Sequence, residues 1–168
     1  ERGLLEQLLD RLPGGARIRL DANGGWDRAT AESWAERLVP EVRLEWLEQP
    51  LAPHDRDGLD ALHRRLPVAL DESLTRFPAL RRQWPGWQVR RPSQDGDPRP
   101  LLAALEAGRP LRMVSTAFET GIGRRWLAHL AALQAEGPTP VAPGLAPGWS
   151  PPGPLFASDT DQVWEAAA

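Results

Sequence analysis

The chain has 168 residues, 41% hydrophobic and 26% charged, which is typical of about one globular domain. Its net charge of -3 gives no electrostatic reason to expect nucleic acid or an anionic membrane as a partner. It contains no Cys, which excludes disulfides and thiolate metal sites and fits a cytoplasmic location. No apolar run approaches the roughly 18 residues that a membrane-spanning helix needs.

The first half of the chain alternates predicted helices with short apolar strands. Apolar residues at helical spacing and the caps and breakers around them predict helices over residues 1–12, Arg28–Leu38 and Asp55–Leu66. Strands are predicted at Arg17–Asp21, Arg43–Glu48 and Pro67–Asp71. Asp27 is the N-cap candidate of the second helix, and Pro40 stops that helix.

The second half continues the alternation. Helices are predicted over Arg76–Gln83, Arg99–Ala107 and Arg124–Ala135, and strands at Gln88–Arg91, Leu111–Thr116 and Thr139–Ala142. Pro and Gly make residues 143–154 irregular, and residues 155–168 are a tail. We therefore expect one domain over residues 1–154 followed by that tail.

Strands that alternate with helices predict an α/β fold with a parallel sheet, either an open sheet or a barrel. A complete (β/α)₈ barrel typically needs about 250 residues. About six βα units in 168 residues therefore predict at most a partial TIM-type barrel, with the first strands absent.

Three predicted strands close on a carboxylate: Asp21, Glu48 and Asp71. A βαβ unit spans about 30 residues, so these acids are expected at the same end of successive parallel strands. Ligands gather at that end in both barrels and open sheets. Hard oxygen donors suit a divalent cation such as Mg²⁺, so the spacing predicts a metal site.

Six ordered stretches resemble the enolase superfamily and, within it, the o-succinylbenzoate synthases. They are Leu20–Trp26, Leu47–Leu51, Ala69–Ser73, Arg91–Pro98, Val114–Gly123 and Ala142–Leu145. The ordered set as a whole is typical of the superfamily, and the last two stretches favour the synthase branch. The resemblance covers about residues 16–150.

By this resemblance, Asp21, Glu48 and Asp71 are the Mg²⁺ ligands, with Mn²⁺ as an alternative ion. The implied enzyme is a carbon–oxygen lyase that converts 2-succinyl-6-hydroxy-2,4-cyclohexadiene-1-carboxylate to o-succinylbenzoate in menaquinone and phylloquinone biosynthesis. The implied substrate contacts are Asn23, Ser115, Thr116, Gly121, Gly144 and Leu145. The implied partner is a small-molecule carboxylate, and nothing in the sequence indicates the oligomeric state.

Two departures from the family pattern concern lysine, because every basic residue of this chain is Arg. Arg91 stands where the family has a lysine at the end of the sixth barrel strand. The general-base lysine and the N-terminal capping domain are expected upstream of Glu1, so the isolated chain is expected to be inactive. Two alternatives remain: an N-acylamino acid racemase or dipeptide epimerase of the same superfamily, and a non-catalytic truncated remnant.

Overall fold

The structure is a computed structural model that describes residues 2–146 and 148–168. The chain divides into two compact units, the first ending at Glu72 and the second beginning at Ser73. Over the described residues, the longest apolar helical stretches fall short of what a membrane crossing requires.

The first unit is a three-stranded parallel sheet with its helices. Its elements are α1 (Arg2–Arg11), β1 (Ile18–Asp21), α2 (Arg28–Leu38), β2 (Leu44–Glu48), α3 (Arg56–His63) and β3 (Val68–Leu70). β2 pairs in parallel with β1 and with β3. The β2 side chains Trp46 and Leu47 are fully buried, as are Leu38 of α2 and Leu59 of α3. Successive strand residues point to opposite faces, so both faces of β2 are covered.

Two side-chain caps set where the helices of this unit begin. Thr30 donates its amide hydrogen to the Asp27 carboxylate over 2.7 Å, and Gly58 donates to Asp55 over 3.1 Å. These bonds satisfy amides that have no partner inside the helix. Helix α2 therefore has the bounds that the sequence predicts.

The remaining elements are α4 (Glu72–Arg76), α5 (Leu80–Gln83), β4 (Trp87–Arg90), α6 (Arg99–Glu106), β5 (Arg112–Val114), α7 (Gly121–Glu136), a 3₁₀ helix (Pro154–Phe156) and α8 (Thr160–Ala167). In the second unit β4 and β5 pair in parallel, with Gln88 opposite Arg112. Val114 of β5 packs with Leu101 and Leu105 of α6 and with Leu127 and Leu130 of α7. The predicted α/β class with parallel strands and intervening helices is confirmed.

Two predicted elements are wrong in detail. Residues 139–142 form no strand, and only an isolated parallel bridge joins Ser115 to Gly144. Pro140 and Pro143 have no amide hydrogen to donate to a ladder, so the described residues contain five strands rather than six. The predicted helix Arg76–Gln83 is confirmed only over α5 (Leu80–Gln83), because α4 ends at Arg76 and the chain is not helical around Pro78.

The predicted tail contains helix α8, whose Val163 is buried. Asp159 caps this helix by accepting hydrogen bonds from the amides of Asp161 and Gln162, over 2.9 and 3.3 Å. The division at residue 154 between a barrel domain and a tail stays a prediction.

Candidate functional site

The three acids lie where the sequence predicts them, at the carboxyl ends of adjacent strands. Asp21 ends β1 and Glu48 ends β2, and the two are register partners. Asp71 directly follows the last residue of β3. Glu48 and Asp71 are only 8% and 4% exposed, whereas Asp21 is exposed. The first unit thus places three carboxylates along one edge of its sheet.

Two of these carboxylates accept hydrogen bonds from groups close by in the chain. The indole Nε1 of Trp46 donates to Glu48 Oε2 over 3.1 Å. The backbone amide of Asn23 donates to Asp21 Oδ1 over 2.8 Å. Asn23 and Gly24 both have positive φ, at 50° and 66°, so this bond stabilises a tight turn directly after β1.

Gln49 joins the ends of β2 and β3 and was not predicted as a site residue. It is fully buried, donates through Nε2 to the Leu51 carbonyl over 2.8 Å, and accepts at Oε1 from the Asp71 amide over 3.1 Å. Its φ of 35° is unusual for a residue other than Gly. Gln49 therefore holds Asp71 in place relative to Glu48. The Glu-Gln-Pro motif was the only sequence signal for this role.

The donor set suits a hard divalent cation, because Mg²⁺ is bound by carboxylate oxygens together with water. Glu48 and Asp71 are buried, and a bound cation is one of the partners that stabilise a buried carboxylate. In the structure, however, no three acidic or imidazole side chains of the described residues are grouped closely enough to hold a metal ion. The acids therefore fit Mg²⁺ by chemistry and strand position, and binding requires their side chains to turn toward one another.

In the second unit, four of the predicted residues lie together. Arg91 donates through Nη1 to the carbonyl of Thr116. The Thr116 amide donates to the Gly144 carbonyl over 2.9 Å, and the Ser115 hydroxyl donates to the same carbonyl over 3.2 Å. A Cβ at position 144 would lie 2.8 Å from Ser115 Oγ, so a larger residue there would displace the Ser115 hydroxyl.

Glu119 supports this group and was not predicted either. Its carboxylate accepts from the hydroxyls of Thr116 and Ser93, over 2.6 and 2.9 Å, and from the Ala117 amide over 2.9 Å. Burial acts to raise the pKa of Glu119, but these hydrogen bonds outweigh burial, so the pKa lies below its ordinary value of 4.5. A charged Glu119 therefore fixes the loop that follows β5.

The other two predicted residues of this unit have structural surroundings. Gly121 is the buried first residue of α7, where a Cβ would lie 1.7 Å from the Ala157 carbonyl oxygen. Leu145 is partly buried against the core formed by α6, α7 and β5. Neither placement tests a contact with substrate, so both assignments stay predictions.

Comparison with known proteins identifies relatives of the chain. Residues 3–84 match the family described as "Enolase C-terminal domain-like". The o-succinylbenzoate synthase of Thermosynechococcus vestitus is 40% identical over 140 residues, 77% of this chain and 44% of that protein. The synthase of Thermobifida fusca is 37% identical over 149 residues, 84% of this chain and 45% of that protein. The chain thus spans less than half of these relatives.

A solved structure of an o-succinylbenzoate synthase is also similar to this chain. The crystal structure of the o-succinylbenzoate synthase from Thermosynechococcus elongatus BP-1, complexed with Mg in its active site, superposes with a TM-score of 0.74. The two are 31% identical, and the match covers 98% of this chain and 54% of that one. The resemblance and the partial barrel fold predicted from the sequence are both confirmed.

Proposed function

We propose that this relative of the enolase superfamily, which matches the C-terminal part of o-succinylbenzoate synthases, is part of such a synthase. The proposed reaction is the dehydration of 2-succinyl-6-hydroxy-2,4-cyclohexadiene-1-carboxylate to o-succinylbenzoate, a cytoplasmic step of menaquinone and phylloquinone biosynthesis. The observation that carries this proposal is the placement of three carboxylates at the carboxyl ends of adjacent parallel strands. The identities of 40% and 37% to two o-succinylbenzoate synthases support it.

In this proposal Asp21, Glu48 and Asp71 hold the Mg²⁺ ion. A bound Mg²⁺ supplies Lewis-acid stabilisation of the negative charge that develops on a substrate carboxylate when the adjacent carbon loses its proton. To hold the ion, Glu48 would turn its carboxylate away from the Trp46 indole, and Asp21 would turn away from the Asn23 amide, the groups that now donate to them. Gln49 keeps the Asp71 backbone in position throughout.

Arg91 supplies fixed positive charge. Its guanidinium stays protonated, so it can stabilise an anionic ring through charge and cation–π contact but cannot accept a proton. This property favours a dehydratase over a racemase or epimerase that needs a second base in this position. In this proposal the general base is a lysine of the remainder of the synthase, since this chain contains none.

The remaining proposed residues bind the organic part of the substrate. Asn23 offers an amide next to the acids, and the loop around Thr116 and Gly144 offers backbone and hydroxyl groups, which its own hydrogen bonds hold in position. Ser115, Gly121 and Leu145 complete the proposed set. A pre-positioned polar group is more useful to a reaction than a mobile one, because less entropy is lost on binding.

A chimera tests the proposal. Residues 2–168 would replace the matching segment of the Thermosynechococcus vestitus synthase, which then supplies the remainder of the protein. We expect Mg²⁺-dependent formation of o-succinylbenzoate by this chimera.

In the chimera, Glu48→Gln should reduce kcat by about 100-fold or more, because it removes a charged ligand that holds the ion in position.

Glu45→Gln is the matched control, since Glu45 lies on the same strand but pairs with Arg19 over 2.7 Å. That pair is partly open to solvent, which limits its contribution to stability, so the control chimera should keep its activity. A folded chimera that forms no product with Mg²⁺, even when Arg91→Lys restores the family residue, would exclude the proposed function.

A further inference from the structure

A cavity of about 850 Å³ lies in the second unit, lined by residues of α5, β4, α6 and β5. Its volume falls within the range of about 300–1,000 Å³ that is usual for small-molecule sites. Prolines and alanines form its apolar wall: Pro78, Pro100, Ala103, Ala104 and Ala107. None of the residues proposed for the synthase site lines it.

The cavity contains an excess of positive charge. Its basic residues are Arg81, Arg82, Arg90, Arg109 and Arg112, against two acids, Asp95 and Asp97. Asp95 is shared between two of these arginines, with Arg90 Nε at 3.0 Å and Arg81 Nε at 3.2 Å. Asp97 is paired with Arg99, which lies outside the cavity, at 2.9 Å. Both acids are therefore already neutralised.

Arg109 and Arg112 form no ion pair with any residue that the structure describes. Arg112 donates only to the carbonyl of Pro110, over 2.7 Å. Its partial burial, followed by the charges of Arg90 and Arg109, lowers the pKa of Arg112 below its ordinary value. A partly buried cation close to other cations is stabilised when an anion binds beside it.

The neighbouring residues Arg90 and Arg91 have different binding partners. Arg90 is buried and pairs with Asp95 at the cavity, whereas Arg91 donates to the Thr116 carbonyl. Successive residues at the end of a strand point to opposite faces, which explains the division. The cavity is therefore separate from the loop around Thr116 and Gly144, which is proposed to bind the substrate.

We infer that this cavity binds a small phosphate monoester, with Arg109 and Arg112 on the phosphate and the Pro and Ala wall against the organic part. The planar guanidinium matches the geometry of phosphate oxygens and forms two parallel hydrogen bonds to them. The apolar wall favours an ester with a hydrophobic group over the inorganic ion. This inference does not depend on the synthase proposal.

The test is isothermal titration of the 168-residue chain with phenyl phosphate and with inorganic phosphate at constant ionic strength. We expect saturable binding, tighter for phenyl phosphate. Arg112→Gln should weaken phenyl phosphate binding about tenfold or more, because a charge-assisted hydrogen bond is lost. Arg112→Lys should give an intermediate affinity, since it keeps the charge but not the two-pronged geometry.

Arg125→Gln is the matched control, because Arg125 is exposed on α7 and does not line the cavity. If Arg112→Gln fails to fold by circular dichroism, the exposed Arg109→Gln variant takes its place, with the same expected loss. Absence of saturable binding to either phosphate, or equal binding by the Arg112 or Arg109 variant and the Arg125 variant, overturns the inference. A higher affinity for inorganic phosphate than for phenyl phosphate also overturns the inference.

Discussion

At the residue scale, the side chain of Gln49 satisfies two buried backbone groups at once. Replacing it by Met keeps the approximate volume but leaves the Asp71 amide and the Leu51 carbonyl without that partner. We expect the free energy of unfolding to fall by about 2 kcal/mol or more, because each unsatisfied buried group costs about 1–3 kcal/mol. Urea unfolding measures this difference.

Gln7→Met is the control for that substitution, since Gln7 is exposed on α1 of the same unit. It should change the unfolding free energy by less than about 0.5 kcal/mol. Equal unfolding midpoints for the two variants would show that the hydrogen bonds of Gln49 are not needed for stability.

Glu119 makes the stability of the second unit depend on pH. Its folded pKa lies below its ordinary value of 4.5, so its contribution is fully present above that value and is lost as pH falls through the folded pKa. Glu119→Gln should cost about 1 kcal/mol at pH 7, a value kept small by partial exposure. The difference between wild type and variant should shrink below about pH 4.5.

Urea unfolding at pH 7, 5 and 3 checks this dependence, with the exposed Glu106→Gln as control. A difference between wild type and the Glu119 variant that stays constant from pH 7 to pH 3 would contradict the assigned hydrogen bonds.

The strand-end acids were predictable at this scale because each directly follows an apolar run. The supporting residues Gln49 and Glu119 were not, because both act through backbone amides and hydroxyls of residues that are brought close by the fold. A single Gln or Glu in a loop has no distinctive sequence pattern. Such roles become visible only when the partner atoms can be located.

At the element scale, the start of α7 depends on one glycine. A Cβ at Gly121 would lie 1.7 Å from the Ala157 carbonyl oxygen, which is backbone and cannot rotate away. We therefore expect Gly121→Ala to destabilise the protein by about 2 kcal/mol or more, since overpacking typically costs about 1–3 kcal/mol. Thermal unfolding followed by circular dichroism measures the loss.

Gly3→Ala is the matched control, because Gly3 lies in α1 with open space around the added methyl group. Ala is the better helix former by about 1 kcal/mol, so this variant should be as stable as wild type or more so. Similar midpoints for wild type and Gly121→Ala would show that the segment around Ala157 can move aside.

Elements were predictable where a cap or a breaker sits beside a periodic apolar pattern. Helix α2 has the predicted bounds because Asp27 caps it and Pro40 follows soon after its end. The predicted strand over residues 139–142 is wrong because Pro140 within it and Pro143 beside it have no amide hydrogen to donate to a strand ladder. Helix α8 was missed although Asp159 is an ordinary N-cap, because only one of its side chains is buried.

At the scale of the whole molecule, the chain contains acids and arginines but no lysine. We expect the purified 168-residue chain to form no o-succinylbenzoate, with or without Mg²⁺, because the proposed reaction needs a base that an arginine cannot replace. Chromatographic detection of o-succinylbenzoate, with the chimera as positive control, checks this expectation. Robust turnover by the chain alone would show that another residue is the base.

The hydrogen bond from Trp46 to Glu48 also gives the proposed metal site a signal of its own. Each of the eight tryptophans contributes one indole N–H resonance to a ¹⁵N correlation spectrum, and Trp→Phe replacement at position 46 identifies its peak. If Glu48 turns toward an added cation, that single peak moves as its acceptor leaves. A buried indole thereby becomes a reporter of metal occupancy that needs neither substrate nor turnover.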